Sequence, residues 1–68
     1  MPEDLDIQIG KKLKQRRQEL RLTQKQLAQK VGITYQQIQK YEAAKNRVSA
    51  SRLYEIAQAL GVSTNYFI

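Results

Sequence analysis

Apolar residues recur along this chain in short helical stripes, each introduced by a polar cap. Leu27, Ala28 and Val31 make one stripe, Gly32 and Ile33 interrupt it, and Ile38 and Tyr41 begin another. Thr23 is followed three residues on by Gln26, and Thr34 by Gln37. This is the Ser/Thr-x-x-Glu/Gln box, whose side chains satisfy the orphan N–H groups of a helix start. Upstream, Ile9, Leu13 and Leu20 share one side of a helix predicted from about Ile7 to about Leu20, with Gly10 blurring its start. Downstream, Ser49 can cap a helix in which Leu53, Ile56, Ala57 and Leu60 form a strong stripe, and Gly61 ends it. Ser63 can cap a last turn holding Tyr66, Phe67 and Ile68. No strand signal, repeat or linker is visible. The pattern predicts an all-α fold of four helices and a short fifth. It forms one domain over residues 7–68, after a flexible polar arm of residues 1–6.

Composition narrows what such a domain can do. Sixty-eight residues leave a small core that must pack economically. There is no cysteine and no histidine, so disulfides, thiolate metal sites and the commonest catalytic bases are missing. The acids are too few and scattered for a paired-carboxylate site, and no glycine-rich phosphate loop exists. Neither an enzyme, a metal site nor a cofactor is expected. No apolar run approaches the roughly 20 residues that span a bilayer, and a cytoplasmic location is the default. The formal charge is +6, and from Ile7 onward twelve Lys and Arg face three Glu, which is +9. A basic excess of this size favours polyanions, nucleic acid first. Binding to an anionic membrane is a weaker rival, because the apolar stripes are needed for the core.

The stretch from Thr23 to Glu42 joins charge to architecture. Two capped helices separated by a tight glycine turn meet at a steep angle, as in a helix-turn-helix that reads DNA. Ala28 is small where the helices would cross, and Gly32 can take positive φ at the turn. On a helical wheel of the second helix, Ile38, Tyr41 and Glu42 face the core. Gln36, Lys40 and Ala43 lie opposite, flanked by Gln39, with Tyr35 near the helix start. Gln36 can pair bidentately with adenine and Lys40 with the O6/N7 edge of guanine. Tyr35 can offer its ring to a thymine methyl or its hydroxyl to a phosphate. Arg16 and Arg17 border the first helix's stripe and Glu42 borders the third's. A charge at a core seam wants a partner, but periodicity does not choose between the two arginines.

Arg17 before LTQKQLA, then VGI, IQKYE and LYEIAQALGV, together resemble the helix-turn-helix family of phage repressors, Cro and the XRE-type regulators, over residues 9 to 67. The resemblance implies a compact lambda-repressor-like bundle with the helix-turn-helix at helices 2 and 3. The helix of residues 34–44 would then enter the major groove. It implies base contact at Tyr35, Gln36 and Lys40, backbone contact at Gln24 and Thr34, and a loop of Lys45, Asn46 and Arg47 gripping phosphates. It pairs Arg17, rather than Arg16, with Glu42 in a partly buried salt bridge, with the Arg17 guanidinium also near a phosphate. The implied function is a transcriptional regulator, most often a repressor, binding as a homodimer to a two-fold symmetric double-stranded operator. The alternative on the same fold is an antitoxin or adaptor with a toxin or other protein partner.

Two positions depart from the family's pattern. Glycine usually follows two residues after the glutamate, where this chain has Ala44. A non-glycine at positive φ costs roughly 1–2 kcal/mol, so helix 3 is expected to run on to Lys45 or Asn46, with Asn46 as its terminator. Arg16 stands where relatives are often apolar, so its stem is expected to pack while its charge reaches solvent.

Overall fold

The computed structural model describes residues 3–68. Among them are four α-helices, α1 (Asp4–Glu19), α2 (Gln24–Val31), α3 (Tyr35–Glu42) and α4 (Ala50–Leu60), followed by a single 3-10 turn at Thr64–Tyr66. No strand occurs among the described residues. The expected short fifth helix is this one turn.

The helices α2, α3 and α4 start by one repeated device. Thr23 Oγ1 accepts the Gln26 N–H at 3.0 Å, Thr34 Oγ1 the Gln37 N–H at 3.2 Å, and Ser49 Oγ the Arg52 N–H at 3.2 Å. At α2 the box is complete, because the Gln26 side chain also accepts the Thr23 N–H. At α3 only the Thr34 half forms. One residue before each cap stands an apolar side chain packed on the core (Leu22, Ile33, Val48), and Val62 holds the same place before Ser63. Four residues after each cap stands a buried one: Leu27, Ile38, Leu53 and Phe67. This is the spacing of the hydrophobic staple, which fixes the angle at which chain enters helix.

The helices also end by one device, a left-handed residue followed by a backbone bond reaching back five positions. Gly32 (φ +84°) and Gly61 (φ +69°) take that role after α2 and α4. Ile33 N–H then bonds Ala28 O at 3.0 Å, and Val62 N–H bonds Ala57 O at 3.0 Å. After α1 the left-handed residue is Arg21 (φ +57°), with Leu22 N–H on Arg17 O at 3.0 Å. After α3 it is Ala44 (φ +58°), with Lys45 N–H on Lys40 O at 2.9 Å. The expected run-on of α3 to Lys45 or Asn46 is therefore corrected. The helix stops at Glu42, and Ala44 accepts the left-handed cost of about 1–2 kcal/mol. The chain must reverse there, since Val48 packs on the core and α4 delivers Leu53 and Ile56 into it.

Three further boundaries differ from expectation. First, α1 starts at Asp4 rather than Ile7, so half of the expected arm is helix. Glu3 sits extended at the cap, its N–H donates to Asp6 Oδ2 at 3.2 Å, and Asp4 and Asp6 occupy the first turn. The helix dipole favours acids there. Met1 and Pro2, the rest of the arm, lie outside the described residues. Second, Leu20 is 40% exposed rather than part of the buried stripe, because α1 has already ended beside it. Third, Gly10 marks a crossing rather than a weak helix start. A Cβ there would lie 2.6 Å from Tyr41 O and 2.8 Å from Glu42 O, so α1 rests backbone to backbone on the end of α3.

The core gathers Leu13, Leu27, Ile38, Ile56, Leu60 and Phe67, all fully buried, with Ile9, Ala28, Tyr41, Leu53 and Ala57 around them. Phe67 closes its lower end, edge-on to Tyr66 at 5.2 Å, while Ile68 is exposed. A polar row on α1 holds this closure. Gln8 Nε2 donates to Phe67 O and Ile68 O, Lys12 Nζ to Tyr66 O, and Arg16 Nε to Leu60 O, all at 3.0–3.1 Å. These residues, four apart, share one helix face. Arg16 thus places a cation on the last carbonyl of α4, where the dipole favours it.

Candidate nucleic-acid interface

The turn between α2 and α3 has three residues, Gly32, Ile33 and Thr34. It fixes α3 against α2 so that one side of α3 packs inward. Ile38 and Tyr41 are buried on that side, and only 5% of the Glu42 side chain is accessible. The other side carries Gln36, Gln39, Lys40 and Ala43, all exposed. None of Gln36, Gln39 and Lys40 forms a side-chain hydrogen bond or ion pair within the described residues. Their amides and ammonium are open to an outside partner.

Behind this face lies a buried polar knot. Glu42 Oε2 accepts Arg17 Nε at 2.6 Å and Oε1 accepts Arg17 Nη2 at 3.1 Å, a two-pronged charge-assisted pair. Oε1 also accepts Gln24 Nε2 at 3.1 Å, and Arg17 Nη1 donates to Leu22 O at 2.8 Å. One guanidinium therefore ties α1, the α1–α2 turn and α3 together, and Gln24 ties in the start of α2. Of the two arginines that periodicity left open, Arg17 is the partner. It is 8% exposed, and three of its five N–H groups are occupied inside the fold. No buried side-chain nitrogen or oxygen among the described residues lacks a partner.

Gln24 shares its amide with Glu42 and keeps a second N–H. Thr34 is exposed, its oxygen used by the Gln37 N–H. Tyr35 is half-buried on the core, with Lys25 Nζ 5.2 Å from its ring centre. Asn46 is exposed and does not take the left-handed conformation expected of it. Arg47 is 72% exposed, yet its Nε lies 3.2 Å from Asp6 Oδ2 and its Nη2 3.5 Å from Glu3 Oε1. An open groove of about 530 Å³ joins Gln24, Gln36, Gln39 and Lys40 to Lys45 of the basic loop and to one lysine the sequence did not single out, Lys14. Lys14 stands three residues before Arg17 on α1, so once Arg17 is placed against Glu42 its neighbour one turn away falls beside α3. That signal was available only through the Arg17–Glu42 pairing.

Two short helices packed across a three-residue turn, with an open polar face on the second, define a helix-turn-helix domain. The comparisons give the family. The helix-turn-helix family profile matches residues 13–67, and the chain belongs to that family. A transcriptional regulator from the ATPase CF(0) region of Rhodospirillum rubrum is 52% identical over 63 residues, covering 93% of this chain and 58% of that protein. The fold superposes on the restriction-modification controller protein C.AhdI of Aeromonas hydrophila with a TM-score of 0.89, at 22% identity over 93% of this chain and 96% of that one. It also superposes on the DNA-binding domain of the P22 c2 repressor, with a TM-score of 0.84 at 25% identity over 87% of this chain and 78% of that one. The chain spans about half the length of the curated relatives it matches. No described helix is long and apolar enough to cross a membrane.

Proposed function

We propose that this domain binds double-stranded DNA sequence-specifically, as the reading part of a cytoplasmic transcriptional repressor without catalytic activity. The observation that carries the proposal is the outer face of α3. Gln36, Gln39 and Lys40 are exposed, unpartnered and held on a helix whose other side is locked by the Arg17–Glu42 pair. Side chains on a rigid, pre-oriented helix read base edges without first losing freedom of the backbone. In this reading Gln36 and Lys40 make direct base contacts, with Gln39 and Tyr35 beside them. Gln24, Thr34 and Asn46 meet phosphates at the margins, and Lys14 and Lys45 add positive charge along the groove. Arg17 contributes chiefly by holding Gln24 and Glu42 in place. A homodimer on a two-fold symmetric operator, with half-sites about one helical turn apart, completes the proposal.

Selection of bound sites from a random duplex library tests both parts, and a palindromic consensus is the expected outcome. With the selected site in hand, Gln36→Ala should cost about 1–3 kcal/mol on cognate DNA and little on a scrambled duplex. Equal losses on both would remove Gln36 from the reading face. Weak, salt-insensitive binding to every duplex would favour an adaptor or antitoxin role instead.

A further inference from the structure

We propose that Glu3 and Asp6 act as an intramolecular stand-in for a DNA phosphate, holding Arg47 out of the DNA interface. The inference rests on the DNA-binding reading above. Among the described residues the lysines form no carboxylate pair, and Lys14, Lys40 and Lys45 line the groove uncompensated. Arg47 differs. It sits in the loop that follows α3, the only cation of that loop paired with acid, and it is paired with two acids. They come from the cap and first turn of α1, forty-one or more positions away in sequence.

The acids are held in place for this contact. Asp6 Oδ2 takes the Glu3 N–H at 3.2 Å as well as Arg47 Nε, and the Asp6 side chain is largely buried. Glu3 sits at the cap of the same turn. A carboxylate and a phosphate offer a guanidinium the same acceptor geometry, so the two compete for one cation. The pair is exposed and therefore weak by itself. Being on the same chain, the carboxylates compete at an effective concentration of about millimolar or above. They also place negative charge beside the loop, which DNA must approach. Neutralising both acids then frees Arg47 to meet a phosphate.

The test compares the chain with Glu3→Gln/Asp6→Asn, alone and combined with Arg47→Gln, binding a duplex selected by the wild-type chain across a range of salt. Asn and Gln keep the cap acceptors, and a thermal melt verifies that α1 is intact. A freed Arg47 should add about 0.9 to the slope of log K against log salt per bound copy, which is about tenfold tighter binding at 50 mM salt. That gain should vanish in the Arg47→Gln background. An unchanged slope, or an equal gain with and without Arg47, would overturn the competition and leave the DNA reading standing. Failure of every variant, wild type included, to bind any duplex would overturn both.

Discussion

At its start α3 follows a turn in which Gly32 takes the left-handed conformation with open space around it. At its end the same conformation falls on Ala44, beside a buried charge and a backbone crossing. The start is built from near neighbours: Gly32, an apolar Ile33, the Thr34 cap and Ile38 four residues on. The end is built from distant ones. Tyr41 O accepts the Ala44 N–H at 3.1 Å and is also the atom against which Gly10 of α1 rests. Glu42 meets Arg17 across twenty-five positions. This helix is thus started by local rules, but its exit is set by whatever the rest of the domain needs. Here the need is to anchor α3 on α1 and turn the chain back toward α4.

If that contrast is right, substitutions at the end should cost more than those at the start. Glu42→Ala is expected to have the largest effect. It strands Arg17, itself buried, and removes the partner of Gln24, for a loss of about 3–5 kcal/mol in urea unfolding. A loss under about 1 kcal/mol would mean that water reaches the guanidinium, and the contrast would fail. Next comes Gly10→Ala. Its Cβ meets two carbonyl oxygens rather than a flexible side chain, so relaxation must move a helix, and about 3 kcal/mol is expected. A neutral Gly10→Ala would show that α1 can ride up on α3 without penalty.

The smallest effects form a reciprocal pair. Gly32→Ala adds a Cβ in open space but at positive φ, for a loss of about 1–2 kcal/mol. Ala44→Gly relieves the same strain and should stabilise the domain by about 1 kcal/mol after the added backbone entropy of glycine, read as a higher melting temperature. Ala44→Gly serves the comparison best. A destabilising result would mean that the Ala44 methyl packs on something worth more than the strain it causes.

The helix-turn-helix was legible because each of its parts lies within eleven residues of the next. Thr23, Gly32 and Thr34 announce caps and turn, and the wheel over residues 35–43 separates Ile38 and Tyr41 from Gln36 and Lys40. Less of the surroundings was legible. Arg17 could be told from Arg16 only by resemblance, since both border the same stripe. Gly10 carried no sign of Tyr41 O, which is thirty-one positions away in sequence. The acids Glu3, Asp4 and Asp6 read as a loose arm because a helix cap built on Glu lacks the usual Ser or Thr signature. The row of Gln8, Lys12 and Arg16 carried no sign of its partners, because its acceptors are backbone carbonyls that no side-chain pattern reveals.

By itself, the sequence determined where α2, α3 and α4 begin, which side of each is apolar and where glycine permits a stop. Those properties come from backbone sterics, side-chain hydrogen bonds within one turn, and periodicity, all acting over a few residues. Only the tertiary structure decided that α3 stops at Glu42 with Ala44 turning the chain, that Gly10 is a contact, that Arg17 rather than Arg16 is buried, and that Arg47 faces Asp6. Each depends on groups brought together by packing, where the gain from filling one shared core outweighs a local preference of about 1–2 kcal/mol.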